Sequence, residues 1–146
     1  LGGVVRHVGA GPACGFEVFS CGEGGLWPTG GGLLFQRRLH MLHRLVGVVL
    51  ALGVVFGCLT FRRRALEAGR ARLAALARMP MALVVLQVLL GVGTVMGFAS
   101  SHHVIRVPVV ALHTAIGGLL LASLVLCFVG AGPIFSSSGD GEASTS

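Results

Sequence analysis

The sequence predicts an all-α integral membrane protein, a four-helix bundle of which three spans are clear. Hydrophobic residues make up 54% of the 146 residues, charged residues only 11%, and the mean hydropathy is +0.90. A soluble domain of this length is not expected to be so apolar. Three apolar stretches approach the ~20 residues that cross a bilayer as a helix. They are Leu39–Phe61, Met81–Phe98 and Pro108–Gly130.

The segments outside these spans divide the chain further. The first residues, from Leu1, read like the outer end of a helix, so we expect a first span truncated at the N-terminus. Residues 1–135 then form one membrane domain, with a glycine-rich outer segment at residues 9–35 that we call the cysteine loop. Residues 136–146 are rich in Ser and Gly and acidic, which predicts a disordered tail. We see no internal repeat.

The positive charge of the chain indicates topology rather than nucleic-acid binding. The net charge is +6, and more than half of the arginines lie between the first two spans. These are Arg62, Arg63, Arg64, Arg70, Arg72 and Arg78. The positive-inside rule makes this arginine connector cytoplasmic. The prediction is a multi-pass protein of the cell membrane, with the cysteine loop outside and the C-terminus inside. We expect a short amphipathic helix in the connector, and anionic-lipid contact is a weaker alternative reading of its charge.

The four cysteines fall into two kinds of surroundings. Cys14 and Cys21 lie seven residues apart in a loop predicted to face an oxidising compartment, which favours a disulfide. A structural staple is the favoured reading, and a redox-active bridge is the alternative. Cys58 and Cys127 fall within spans and are expected to be inert small hydrophobic residues.

Two histidines enter the predicted spans at similar depth. His43 follows Arg38 by about 7.5 Å along a helix, and His113 follows Arg106 by about 10.5 Å. Both spans run inward, so the two imidazoles can face each other. Such a pair is what bis-imidazole ligation of a haem requires, and an ionisable residue in a membrane suggests a functional site. The alternative is that each histidine merely forms hydrogen bonds within the bundle.

Other polar residues lie near this pair in the sequence. Arg44 and Arg106 can meet carboxylates such as haem propionates, or can anchor the helices at the interface. Gln87 is the strongly polar residue of the second span, and it is either an interhelical contact or a contact to a bound group.

Five segments in order resemble the haem A synthase family. They are "LGGVVRHVGAGPACG", the Cys14–Cys21 pair followed by "GLWP", "HRLVG" opening the first clear span, "LQVLLGVGTV" in the next, and "VVALH" opening the last. The resemblance covers roughly residues 1–129. Members of this family usually have eight helices in two four-helix halves, and this chain resembles one half, most closely the N-terminal catalytic half.

The resemblance implies an oxidoreductase that converts the C8 methyl of haem O to a formyl group. Haem b would be the cofactor and haem O the substrate, with His43 and His113 as haem-iron ligands. Cys14 and Cys21 would form the family's outer disulfide. A single half implies a homo-oligomer in the lipid bilayer, with haem O synthase and a terminal oxidase as further partners and no role for nucleic acid.

One departure from the family concerns the proton acceptor. Where the catalytic half of the family has a glutamate three residues before the first histidine, this chain has His40. Among the acids, Glu17 and Glu23 are expected outside, in the cysteine loop. We therefore expect His40 or Glu17 to take the catalytic role. The alternatives are a cytochrome b-like electron-transfer or haem-binding subunit without oxygenation activity, and a thiol-oxidising protein. His102 and His103 are expected to lie in solvent.

Overall fold

The regular structure of the chain is helical. The computed structural model describes residues 1–15, 17, 19–21, 25–99 and 103–136. Over this part the elements are α1 (Gly2–His7), α2 (Leu34–Glu67), α3 (Ala71–Leu76), α4 (Arg78–Ala99) and α5 (His103–Ser136). The predicted all-α class is confirmed. Of the predicted tail at residues 136–146, only Ser136 is described, as the last residue of α5, and the rest lies outside the described residues.

Three helices are long and apolar enough to cross a membrane, as predicted. The apolar segments are Leu34–Glu67, Ala71–Gly97 and Val107–Gly130. The helices extend beyond the predicted spans: the 34 residues of α2 correspond to about 51 Å of helix. The hydrocarbon core is about 30 Å thick. The flanking turns contain Arg, Ala, Leu and Glu, which favour helix, so α2 continues past the apolar stretch at both ends.

The faces of the helices support placement in lipid. Large apolar side chains remain exposed on them, for example Val49 at 68%, Phe56 at 75% and Leu126 at 64%. The side chains buried between helices are mostly small or β-branched, among them Ala74, Ala77 and Val84. Apolar surface of this extent is unfavourable in water, and small residues at the contacts are typical of helix packing in membranes.

Glycines set the register between α4 and α5, which pack antiparallel. A Cβ added at Gly93 would lie 3.8 Å from Val109, and one at Gly117 would lie 3.2 Å from the Gln87 amide nitrogen. α2 and α4 pack less closely and leave an apolar groove of about 220 Å³ between them. The tight α4–α5 contact fixes which side chains of these two helices meet.

The arginine connector contains the short helix predicted for it, α3. Gly69 adopts a left-handed conformation (φ +68°) and ends α2. The Arg70 N–H donates to the Ala65 carbonyl at 2.8 Å and the Gly69 N–H to the Leu66 carbonyl at 2.9 Å, as in a Schellman motif. Pro80 lies in the first turn of α4, where its missing N–H removes no helical hydrogen bond. The connector is therefore an ordered turn–helix–turn.

Candidate functional site

The two histidines predicted as partners lie within electrostatic range of each other, His43 on α2 and His113 on α5. A Cβ added at Gly2 of α1 would lie 3.4 Å from Cε1 of His43, and one at Gly91 of α4 would lie 3.4 Å from Cε1 of His113. A glycine of the preceding helix therefore lets the backbone approach each imidazole edge.

The surroundings of His43 and His113 reveal a short sequence repeat that is not evident along the chain. Residues 42–47 read Leu-His-x-x-Val-Gly and residues 112–117 read Leu-His-x-x-Ile-Gly. The glycines that face the two rings also share a dipeptide, because Leu1–Gly2 matches Leu90–Gly91. The match is too short to stand out along the chain, and the structure reveals it because Gly2 and Gly91 take equivalent positions against the two histidine rings.

Gln87 contacts His113 across the α4–α5 interface. The side-chain amide nitrogen of Gln87 lies 3.3 Å from His113 Nε2. Gln87 Oε1 and His113 Nδ1 are buried, and neither has a hydrogen-bond partner among the described residues. Gln87 therefore makes the interhelical contact predicted as one of its two roles. The contact also leaves two buried polar atoms with unused hydrogen-bonding capacity.

His40 faces a different neighbour from His43. Three residues of helix turn the side chain by 300°, so the two rings are about 60° apart around α2. His40 is only 5% exposed, and the Arg44 Nε–H donates to its Nε2 at 3.3 Å. Because an arginine only donates, Nε2 of His40 carries the lone pair. The ring is therefore neutral in this arrangement, with its proton on Nδ1.

Arg44 also binds the cysteine loop. Its Nη1 donates to the backbone carbonyl of Glu17 at 2.6 Å and to that of Ser20 at 3.3 Å. The Glu17 side chain is exposed, and its carboxylate accepts a hydrogen bond from the Ser20 hydroxyl. Arg44 thus lies between His40 and Glu17, the two residues expected to be catalytic.

Two more arginines of α2 bind the same loop. Arg37 Nε donates to the Ala13 carbonyl at 3.3 Å, and Arg38 Nε donates to the Pro28 carbonyl at 3.1 Å. Together with Arg44 they form what we call the arginine clasp. Hydrogen bonds from charged donors contribute about 1.5–3 kcal/mol each when buried, and less where water reaches them, as it does at the exposed bond from Arg44 to the Glu17 carbonyl. The clasp therefore fixes the cysteine loop against the first turns of α2.

The disulfide lies beneath the clasp. Cys14 and Cys21 are at bonding distance, with their Cα atoms 4.4 Å apart, which confirms the predicted pairing. Both cysteines are buried and form a cluster with Met41 of α2. Closing so short a loop stabilises the fold by about 2 kcal/mol in the chain-entropy description. The packing against Met41 gives the bridge a structural role.

The remaining predicted residues lie apart from this site or outside the described part of the chain. Arg106 belongs to the first turn of α5, but its side chain is not among those described, and the same holds for His103. Glu23 and His102 fall outside the described residues. Cys58 is buried and Cys127 half-buried, as expected for residues within spans.

The donor set matches a haem better than a bare metal ion. Within the described part of the chain, no group of three or more His, Cys, Asp or Glu side chains is placed to hold a metal ion. A haem brings its own porphyrin nitrogens, so two imidazoles complete its coordination. The residues present fit the group, with one condition: Gln87 must release Nε2 of His113 before that nitrogen binds iron.

Fold and site together define a small helical protein, compatible with a multi-pass membrane location, with a histidine pair between two of its apolar helices. Comparisons of the chain with protein-family models, with curated proteins and with solved structures find no match. Membership of the haem A synthase family therefore stays a prediction from the five sequence segments.

Proposed function

We propose that the chain is a membrane haem enzyme of haem A synthase type, oxidising the C8 methyl of haem O to a formyl group. The observation that carries the proposal is the placement of His43 on α2 and His113 on α5 within electrostatic range of each other, each with a glycine of a neighbouring helix against its ring edge. The resemblance of five ordered segments to the family supplies the reaction. The apolar bundle supplies a site from which water is excluded.

Each residue has a defined task in this proposal. His43 and His113 would hold haem b through their imidazole nitrogens. When bound, a haem supplies the redox chemistry that no side chain provides. Gly2 and Gly91 let α1 and α4 approach the rings, which limits imidazole rotation. Arg44 and Arg106 are the candidates for the propionates.

Proton transfer is assigned to His40 and Glu17. The lone pair of His40 Nε2 is held by Arg44, so His40 acts as a base only when that hydrogen bond opens. Glu17 offers an exposed carboxylate on the other side of Arg44. The order His40, Arg44, Glu17 forms a polar path from the buried end of the site to the exposed loop.

A specific observation favours a second candidate, a cytochrome b-like electron carrier or haem-binding subunit. Among the described residues the acids are Glu17 and Glu67. Glu67 pairs with Arg63 at the end of α2, and the Glu17 carboxylate bonds Ser20. Neither carboxylate has a contact with His43 or His113. A carrier needs the histidine pair alone, whereas oxidation of a methyl group also needs a proton acceptor.

Pigment analysis separates the two candidates. The protein is co-expressed with a source of haem O, and the extracted haems are identified by mass spectrometry. Haem A or its hydroxymethyl precursor is expected with the wild-type chain and not with the His43→Ala/His113→Ala double variant. Haem O recovered unmodified, from a chain that still binds haem, would contradict the enzyme and favour the carrier.

The proposed setting is the cell membrane, with the cysteine loop outside and the arginine connector and C-terminus inside. A membrane-impermeant thiol reagent, added to intact cells after mild reduction, is expected to label Cys14 and Cys21. The Cys14→Ser/Cys21→Ser variant, which retains the two buried thiols, is the control. Labelling that requires inverted vesicles would reverse the orientation.

A homo-oligomer is proposed because the reaction needs both a substrate site and a haem b site, whereas the predicted ligands among the described residues form one histidine pair, His43 and His113. Added Cβ atoms at Gly53 and Gly57 of α2 would meet nothing within 4 Å, so this small-residue face is open to a second helix. The other proposed partners are haem O synthase and a terminal oxidase. Native mass spectrometry that gives a multiple of the protomer mass supports assembly, and the mass of a single protomer contradicts it.

A further inference from the structure

We infer that Gln87 is a positioning residue for His113: its side-chain amide donates to Nε2 and holds the imidazole in the tautomer with the proton on Nδ1. Gln87 and His113 are 26 residues apart in sequence, and their contact is 3.3 Å. The inference deepens the proposed function, because the use of the Nε2 lone pair for iron rests on it.

The partners of each atom determine the direction of the hydrogen bond. The nitrogen of the Gln87 amide, not its oxygen, is the atom facing Nε2, and that nitrogen only donates. Nε2 must then carry the lone pair, and the proton of the neutral ring resides on Nδ1. Nδ1 and Gln87 Oε1 have no partner in the described structure, so the direction rests on the amide nitrogen being the atom that faces Nε2.

Glycine packing holds the amide in place. A Cβ at Gly117 would lie 3.2 Å from the Gln87 nitrogen, a spacing tighter than ordinary contact. At Gly91, a Cβ would touch the His113 ring at 3.4 Å. Gln87 therefore occupies a slot between α4 and α5 that exists because position 117 has no side chain.

The tautomer matters because a metal needs the lone pair. An imidazole that binds iron through Nε2 must have its proton on Nδ1. With Gln87 donating, His113 is already in the binding form before iron arrives. Gln87 then has only to move aside, and no proton has to change position.

The inference is testable without haem. The haem-free full-length protein, labelled with ¹⁵N-histidine, is placed in lipid nanodiscs at alkaline pH, where imidazoles are neutral. Nitrogen chemical shifts distinguish protonated from unprotonated ring nitrogens, and the His113 signals are those lost in His113→Ala. We expect a protonated Nδ1 and an unprotonated Nε2. A protonated Nε2 in the wild-type protein overturns the inference.

Two pairs of variants provide the controls. Gln87→Leu is expected to give a mixture of tautomers, whereas Gln36→Leu in the first turn of α2 leaves the His113 signals unchanged. Gly117→Ala pushes against the amide and is expected to have the same effect as Gln87→Leu. Gly118→Ala adds a Cβ that meets nothing within 4 Å and is expected to have none. Wild-type His113 shifts in both Gln87→Leu and Gly117→Ala overturn the inference.

Haem b binding by the wild-type chain tests the proposed function, whereas the ring-nitrogen shifts test this inference. A wild-type chain that binds haem b but shows a protonated Nε2 in the haem-free state overturns the inference and leaves the proposed function standing. A wild-type chain that shows the expected tautomer but binds no haem overturns the proposed function and leaves the hydrogen bond established.

Discussion

Replacing His43 or His113 with alanine is expected to remove the low-spin haem spectrum of the purified protein. Each substitution removes one of the two proposed imidazole ligands, His43 of α2 or His113 of α5. We expect six-coordinate haem in the wild-type chain. In each variant, haem affinity should fall by more than about tenfold, which corresponds to 1.4 kcal/mol. Optical titration of detergent-solubilised protein measures both quantities.

The chain offers matched controls for this experiment. His7→Ala removes an exposed histidine of α1 and should leave the spectrum unchanged. His40→Ala removes a buried ring that bonds Arg44, so it should alter stability while haem remains six-coordinate. An unchanged spectrum in both His43→Ala and His113→Ala would refute the ligand assignment. Loss of the spectrum only in His40→Ala would move the ligand to His40.

Replacing Arg44 with leucine is expected to release the cysteine loop from α2. The change removes hydrogen bonds to the carbonyls of Glu17 and Ser20 and leaves Nε2 of the buried His40 without its donor. We expect the free energy of unfolding to fall by about 2 kcal/mol. The loop carbonyls can bind water instead, whereas the buried imidazole of His40 cannot do so fully. Chemical denaturation and the rate of proteolysis within residues 15–21 measure the effect.

Arg38→Leu is the control for this substitution, because Arg38 makes a single hydrogen bond, to the Pro28 carbonyl. Arg38→Leu should lower the free energy of unfolding by about 1 kcal/mol or less. Proteolysis of Arg44→Leu at the wild-type rate would show that the clasp does not hold the loop. Retention of haem in Arg44→Leu assigns the guanidinium to the loop, and loss of haem assigns it to the propionates.

The sequence was sufficient for the parts of the fold that depend on local composition. Apolar runs located the three long helices, and the spacing and surroundings of Cys14 and Cys21 indicated their bond. The ends of the helices were less predictable. Backbone hydrogen bonds of α2 continue for as long as good helix formers follow, and it is Gly69, not the edge of the apolar run, that ends the helix.

The site was predicted only in part, because contacts across helices depend on rotation and register. Matched depth brought His43 and His113 into consideration together. The separation of His40 from His43 depends on a rotation of about 60° around α2 and on where the cysteine loop packs. The contact between Gln87 and His113 depends on the α4–α5 register, which the glycines set. A single sequence shows where these glycines are, but it does not show which helices they face.

The arginine clasp binds main-chain oxygens. The positions that accept these hydrogen bonds are therefore under a different evolutionary constraint from the arginines that donate them. Carbonyl groups at residues 13, 17, 20 and 28 are present whatever side chains those positions carry. Substitutions at these four positions are therefore compatible with binding of the cysteine loop to α2, provided that the backbone keeps its path. The donors have no such latitude, because another residue at position 37 or 44 lacks the guanidinium geometry. Related chains should therefore vary in the loop and retain the arginines.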